Sequence, residues 1–188
     1  MKNSAKIIII ILAVLLVTGA VFVLGKNFKG PKVVVKLETP RIMKIISPVF
    51  ANNAHLPAKY TCDGENINPP LQIGAVPAGT QSLVLIVDDP DAPGGTFLHW
   101  LVWNISPDIA VIEENSLPAG SVQGKNNFGK NNYGGPCPPS GTHRFFFKVY
   151  ALNKKLALPA GSSLKQVQAA IQGYILDEAE IVGLYQRK

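Results

Sequence analysis

Asp88-Asp89-Pro90-Asp91-Ala92-Pro93 is followed, six residues on, by His99-Trp100. Carboxylates crowded in this way repel one another, so a cation, hydrogen-bond donors or protonation must compensate them. A second cluster, Gly134-Gly135-Pro136-Cys137-Pro138-Pro139-Ser140-Gly141-Thr142-His143-Arg144-Phe145, sets a thiol, a hydroxyl, an imidazole and a guanidinium among glycines and prolines.

Three chemistries suit these residues. Asp89 and Asp91 stand two apart, as in Asp-x-Asp arrangements that hold hard cations through oxygen. His99 and His143 would extend that set towards a transition metal. Against this, Pro90 and Pro93 stiffen the backbone, so the two carboxylates can point apart, and an Asp at a strand end commonly caps its own turn. A nucleophile with a base is the second chemistry, drawn from Ser140 or Cys137 beside His143. The chain has no Gly-x-Ser-x-Gly elbow, and Ser140 sits among prolines and glycines, not on a strand-to-helix turn. The third is a pocket for a small anion. Two imidazoles can donate hydrogen bonds, Gly134-Gly135 can expose backbone N–H groups, and prolines and aromatics supply rigid apolar walls. Asp89 could then accept from an ammonium, a hydroxyl or a protonated phosphate, or hold a histidine in its donor tautomer. This reading uses nearly all the unusual residues, and it predicts neither metal nor cofactor.

Strands must carry both clusters. Ser82 to Val87 is a continuous apolar run rich in β-branched residues, as in a strand covered on both faces. Thr96 to Ile105 is a second strand. Strict alternation puts Phe97, His99, Leu101 and Trp103 on one face, and Leu98, Trp100 and Val102 on the other. Thr142 to Leu152 is a third, with His143, Phe145, Phe147 and Val149 sharing a face. Lys44 to Ser47 and Glu180 to Tyr185 complete the set, with Ile175 onward read as a short turn before the last strand. Residues 51–77 are turn-rich. Gly120 to Gly141, rich in glycine and asparagine and holding Phe128 and Tyr133, reads as an ordered binding loop. One helix stands out near the C-terminus: Ser162-Ser163 cap it, Leu164, Val167, Ala170 and Ile171 repeat along one side, and Gly173 ends it.

Ahead of this domain, Ile7 to Gly25 holds 19 residues without a charge, about the length that spans a bilayer as a helix. The expected organisation is an anchor or signal segment over 1–25, a basic linker over 26–43 and a folded domain over 44–188. Residues 1–44 carry 8 Lys+Arg and 1 acidic residue, while the remainder carries 10 against 11. The high pI therefore belongs to the N-terminal stretch, and the domain has no electrostatic reason to bind nucleic acid. Basic residues flank the apolar run on both sides and so leave its orientation open. The expected location is a single-pass position in the cell membrane with the domain outside the cytoplasm, or secretion where the segment is cleaved. Cys62 and Cys137, an even pair behind such a segment, are candidates for a disulfide.

The two clusters resemble the signature regions of the phosphatidylethanolamine-binding protein family, also called the Raf kinase inhibitor protein family. The residues that carry the resemblance are Asp89-Pro90-Asp91-Ala92-Pro93, His99-Trp100 and Gly135 through Phe145. Tyr60-Thr61-Cys62-Asp63-Gly64-Glu65-Asn66 and the glycine-rich approach to Tyr133 resemble its prokaryotic, YbhB/YbcL-like branch. The resemblance runs from about Ile45 to Arg187 with the motifs in family order. It implies a mainly β fold, a β-sandwich of the family type with one or two short helices, here preceded by one transmembrane helix. It implies a small anion pocket formed by Asp89, Asp91, Pro93, His99, Gly135, Pro136, His143 and Phe145, with Asp91 more structural in role. Phe145 stands where many members carry Tyr, and Phe97 near where eukaryotic members carry a Trp. With a strand-like run at Glu180 to Tyr185, the C-terminal helix of animal members is not expected here. Members bind phosphorylated headgroups or peptides, and several inhibit kinases or serine proteases. The expected protein is thus a membrane-anchored binding module for an anion such as phosphate or a phospholipid headgroup. A protein partner, protease or kinase, is the first alternative and a metal-dependent hydrolase the second.

Overall fold

The structure, a computed structural model, describes residues 42–187. The apolar segment 7–25 and nearly all of the basic linker lie outside them. Among the described residues no helix is long and apolar enough to cross a membrane.

Nine strands and one α-helix make up the described part: β1 (Lys44–Ile46), β2 (Ala54–His55), β3 (Leu71–Gly74), β4 (Ser82–Asp89), β5 (Phe97–Ile105), β6 (Val111–Ile112), β7 (Val122–Gln123), β8 (His143–Leu152), α1 (Leu164–Ile171) and β9 (Ile175–Tyr185). A single 3-10 turn, Ala58–Tyr60, interrupts the turn-rich stretch. Two sheets result, one ordered β1-β3-β6 and the other β2-β9-β8-β4-β5-β7. Only the short β2–β9 contact is parallel.

The larger sheet is buried on both sides, which is why β4 reads as an unbroken apolar run. On one side Leu83, Leu85, Val87, Phe147, Val149 and Ile181 pack with Ile45, Leu71, Ile73 and Ile112 of the small sheet. On the other, Val84, Ile86, Leu101, Trp103 and Leu152 pack under Val167 and Ile171 of α1. The helix is short, and its start is set by a capping box: Ser163 accepts from the Gln166 amide, and the Gln166 side chain accepts from the Ser163 amide. Gly173, at φ 78°, takes the left-handed turn that ends it.

Two expectations need correction. The last strand begins at Ile175, not Glu180. Its first half pairs with β8 from Leu152 to Lys148 but has no strand paired to its other edge among the described residues, and its side chains are largely exposed. That leaves no apolar rhythm to read. The second correction concerns β5. Asp88 pairs with Leu98 but Val87 with Trp100, so β5 holds one residue more than β4 at that point, and the extra residue is His99. Leu98, Leu101 and Trp103 then face α1, whereas Trp100 and Val102 face the small sheet. Strict alternation fails because a β-bulge spends one residue without advancing the ladder.

Candidate functional site

The crowded carboxylates at the end of β4 are compensated by bases of the neighbouring strand, β8. Asp88 takes Lys148, whose Nζ lies 2.8 Å from both carboxylate oxygens. Asp89 Oδ2 takes His143 Nδ1 at 2.7 Å. Asp91 takes Arg144, which donates to it from its backbone N, Nε and Nη2 at 2.9, 2.9 and 2.7 Å. The Asp91 carboxyl is thereby held down at about 2, mainly by the Arg144 side-chain bonds. The capping role falls to Asp89, whose Oδ1 accepts from the Asp91 amide at 2.8 Å. Both Asp89 oxygens are thus engaged inside the protein. Asp91 is occupied by Arg144, and Pro93 stands on the exposed side of the turn.

His99 and His143 are 3% and 7% exposed. The bulge brings the His99 ring against Phe145, 5.2 Å between centroids and edge-on, and the His143 ring stacks on the same Phe145 at 6.4 Å. Fully buried Phe145 is therefore the floor shared by both imidazoles. Phe97 and Phe128 close against His99 from the other side, at 5.1 and 5.6 Å.

A bulge leaves backbone groups off the ladder, and these must find partners. The loop after β7 supplies them. Asn127 accepts from the Leu98 amide through Oδ1 at 2.6 Å and donates its own amide to the Leu98 carbonyl at 3.0 Å. Asn126 Nδ2 donates to the His99 carbonyl and to the Asn132 carbonyl, while its Oδ1 accepts from the Lys130 amide. Asn126, Asn127 and the ring of Phe128 are site residues that motif reasoning passed over. Their sequence signal was the glycine- and asparagine-rich loop with its aromatic Phe128, read as an ordered binding loop without a role for any one residue.

The expectation that Gly134-Gly135 exposes N–H groups to a ligand is overturned. The Gly134 amide donates to the His99 carbonyl at 3.0 Å, and the Gly135 amide donates to Asn66 Oδ1 at 2.7 Å. The glycines are needed for space. A Cβ on Gly135 would lie 2.7 Å from the Tyr60 carbonyl oxygen and 2.8 Å from Thr61 Cα. Pro136, buried like Gly135, has no N–H and accepts from the Cys62 amide. The same segment is tied down covalently, since Cys62 and Cys137 form a disulfide with Cα atoms 5.4 Å apart. No thiol remains for nucleophilic chemistry at Cys137, and Ser140 is exposed in the loop before β8.

Tautomers follow from these contacts. The Gly134 carbonyl can only accept, so the His99 Nδ1 that lies 2.7 Å from it carries the hydrogen. His143 Nδ1 likewise donates to the Asp89 carboxylate. Nε2 of each ring is then the atom left to a ligand, and neither has a hydrogen-bond partner among the described residues. Burial pushes the His99 imidazole below its ordinary value, against the raising pull of the Gly134 carbonyl and of Asp89. Beside the site, Cys62, Asn66, Phe128, Lys130, Asn132, Tyr133 and Gly134 line a cavity of about 130 Å³. Among the described residues, no group of three or more His, Cys, Asp or Glu is placed to hold a metal ion.

The sequence of this arrangement matches a family model described as "Phosphatidylethanolamine-binding protein" over residues 46–186. A UPF0098 protein of Pyrococcus horikoshii, PH1269, is 49% identical over 151 residues, 76% of each chain. A UPF0098 protein of Methanothermobacter thermautotrophicus is 49% identical over 150 residues, 77% of this chain and 99% of that relative. Among solved structures, the phosphatidylethanolamine-binding protein homolog CT736 of Chlamydia trachomatis is similar with a TM-score of 0.76 at 38% identity, covering 79% of this chain and 99% of that one. Escherichia coli YbcL, described as a member of the mammalian family, has a TM-score of 0.73 at 33% identity, covering 78% and 99%.

Proposed function

The chain belongs to the phosphatidylethanolamine-binding protein family, and from that premise we propose that it is a binding module whose His99–His143 site holds a small anion such as phosphate or a phospholipid headgroup. One observation carries the reading. Two buried imidazoles are fixed by their Nδ1 atoms, to Gly134 O and Asp89 Oδ2, and leave both Nε2 atoms without a partner among the described residues. The rings are buried, but among the described residues the buried side-chain polar atom without a partner is Trp103 Nε1, so both Nε2 atoms open towards solvent and a ligand. The aromatic floor and walls, Phe145, Phe97 and Phe128, leave the two rings as the polar groups around which a ligand would be oriented. The site gives binding and orientation but no oriented nucleophile, so the reading is that of a binder and not an enzyme.

The uncharged run Ile7 to Gly25 supports a membrane anchor for this module. With a disulfide in the domain, the oxidising side of the membrane is its natural place. The anchor is tested by fractionation: the full chain should pellet with membranes and resist carbonate extraction, and a chain lacking residues 7–25 should not. The site is tested by NMR on the full chain in detergent. Titrating inorganic phosphate should move the ring signals of both His99 and His143. Silence at both would remove the anion site.

A further inference from the structure

Apart from Lys130, Asn66 and Asn132, which line the adjoining cavity, the donors against the two rings can be counted, and the count has a consequence for what they bind. The amides of Gly134 and Gly135 are used inside the protein, Pro136 has none, and the Tyr133 hydroxyl donates to the Tyr60 carbonyl at 2.8 Å. Phe97, Phe128 and Phe145 offer no hydrogen-bonding group. Nδ1 of each imidazole is spent, on Gly134 O and on Asp89 Oδ2. What faces a ligand from a neutral ring is therefore a lone pair on Nε2. An ionised oxygen cannot bond to a lone pair.

Charge points the same way. The groups that bear on the two rings are Asp88 and Asp89 of β4, Asp91 of the following turn, and Arg144 and Lys148 of β8. Lys148 neutralises Asp88 and Arg144 neutralises Asp91. Asp89 alone has no permanent cation as its partner. With neutral rings the site is negative, and an anion entering it unaccompanied would be repelled.

Resting on the anion reading above, we infer that the site takes its ligand together with at least one proton, shared between a ligand oxygen and His99 Nε2, and so selects phosphomonoesters over phosphodiesters and sulfate at neutral pH. A phosphomonoester gains its second proton near neutrality, so its P–O–H can donate to the lone pair while its remaining oxygens stay anionic. A phosphodiester or sulfate has no such proton there, and must wait for the imidazole to acquire one. Burial of His99 delays that acquisition to lower pH.

The test is calorimetry on the full chain in detergent, with methyl phosphate, dimethyl phosphate and inorganic sulfate, in buffers of different ionisation enthalpy. At about pH 7.5 methyl phosphate should bind roughly tenfold or more tightly than the other two, with about one proton taken up per anion. Lowering the pH to about 5.5 should tighten sulfate and dimethyl phosphate by roughly tenfold or more and close the gap. His99→Gln, which keeps a hydrogen-bonding group but cannot titrate, should shrink the pH dependence of sulfate binding to the part that runs through His143. A second arm compares glycerol 3-phosphate with micelles carrying phosphatidic acid or phosphatidylethanolamine. Either monoester source, free or lipid, should outcompete the diester lipid. Sulfate that binds equally at both pH values, with no proton uptake, would overturn the proton coupling and leave the anion site standing. No binding of any anion at either pH would remove both.

Discussion

Arg144 donates three hydrogen bonds to Asp91, and the carboxyl sits near 2 against an ordinary 3.8. A carboxylate whose folded value lies below its unfolded one contributes stability above the unfolded value and loses it as pH falls through the folded one. The Asp91–Arg144 pair should thus support the domain above about pH 4 and fail between about 4 and 2. Asp91→Asn should flatten that acid limb, read as a smaller change in urea midpoint between about pH 5 and pH 3 than the native chain shows. Asp89 differs, being 3% exposed and bonded at both oxygens. Asp89→Asn should cost about 1.5–3 kcal/mol in a urea melt, the range for a hydrogen bond to a charged group. The same variant turns one of the two acceptor oxygens into a donor, so it should loosen the tautomer of His143, read as a change in the nitrogen signals of its ring. His99 runs opposite in sign to a stabilising histidine pair. Its folded value is lowered, so the unfolded chain binds the proton first and stability declines as pH falls below the ordinary histidine range.

At the scale of elements, the site depends on segments that meet only in three dimensions. Gly135 lets the loop before β8 lie against Tyr60 and Thr61, and its amide reaches Asn66. Gly135→Ala should cost about 1–3 kcal/mol by overpacking against backbone that cannot yield, measured by thermal melting. Strands β4, β5 and β8 were legible because β-branched and aromatic runs bounded by turn residues leave few alternatives. So was the short helix, from its Ser163 cap and its Val167 and Ile171 positions. The bulge was not legible. Nothing in Phe97-Leu98-His99-Trp100 marks which residue drops out of the ladder, since all four tolerate burial. The motif positions did bring Asp89, His99, His143, Gly135, Pro136 and Phe145 into one neighbourhood. Their division of labour escaped sequence reasoning: who accepts from whom is settled by strand register and by asparagines far along the chain.

Taken as a whole, the described chain is a doubly covered sheet with its candidate site at one end, closed by a covalent tie. The Cys62–Cys137 disulfide spans 75 residues and brackets β3 through β7. A loop of that length corresponds to about 4 kcal/mol on the chain-entropy account, and native disulfides commonly contribute 2–5. Replacing both cysteines by serine should therefore lower unfolding stability by roughly 2–4 kcal/mol, measured in urea under identical conditions. Because the tie lies next to Pro136, whose carbonyl accepts from Cys62, the loss should be felt first in the Gly134–Pro136 segment that positions His99.

The bulge also means that the site end of β5 is written in two reading frames, ahead of a second register shift opposite Leu83 and Leu85. Up to Leu98 it pairs with β4 in one register and from Trp100 in another, with His99 as the inserted letter between them. Deleting His99 outright would merge the frames. Phe97, Leu98, Trp100, Leu101, Val102 and Trp103 would then alternate without a break between the two faces they already occupy. The expected product is a chain that still folds, by circular dichroism and cooperative melting, yet no longer binds phosphate: a sandwich edited back to plain β grammar, with its function removed as a single character.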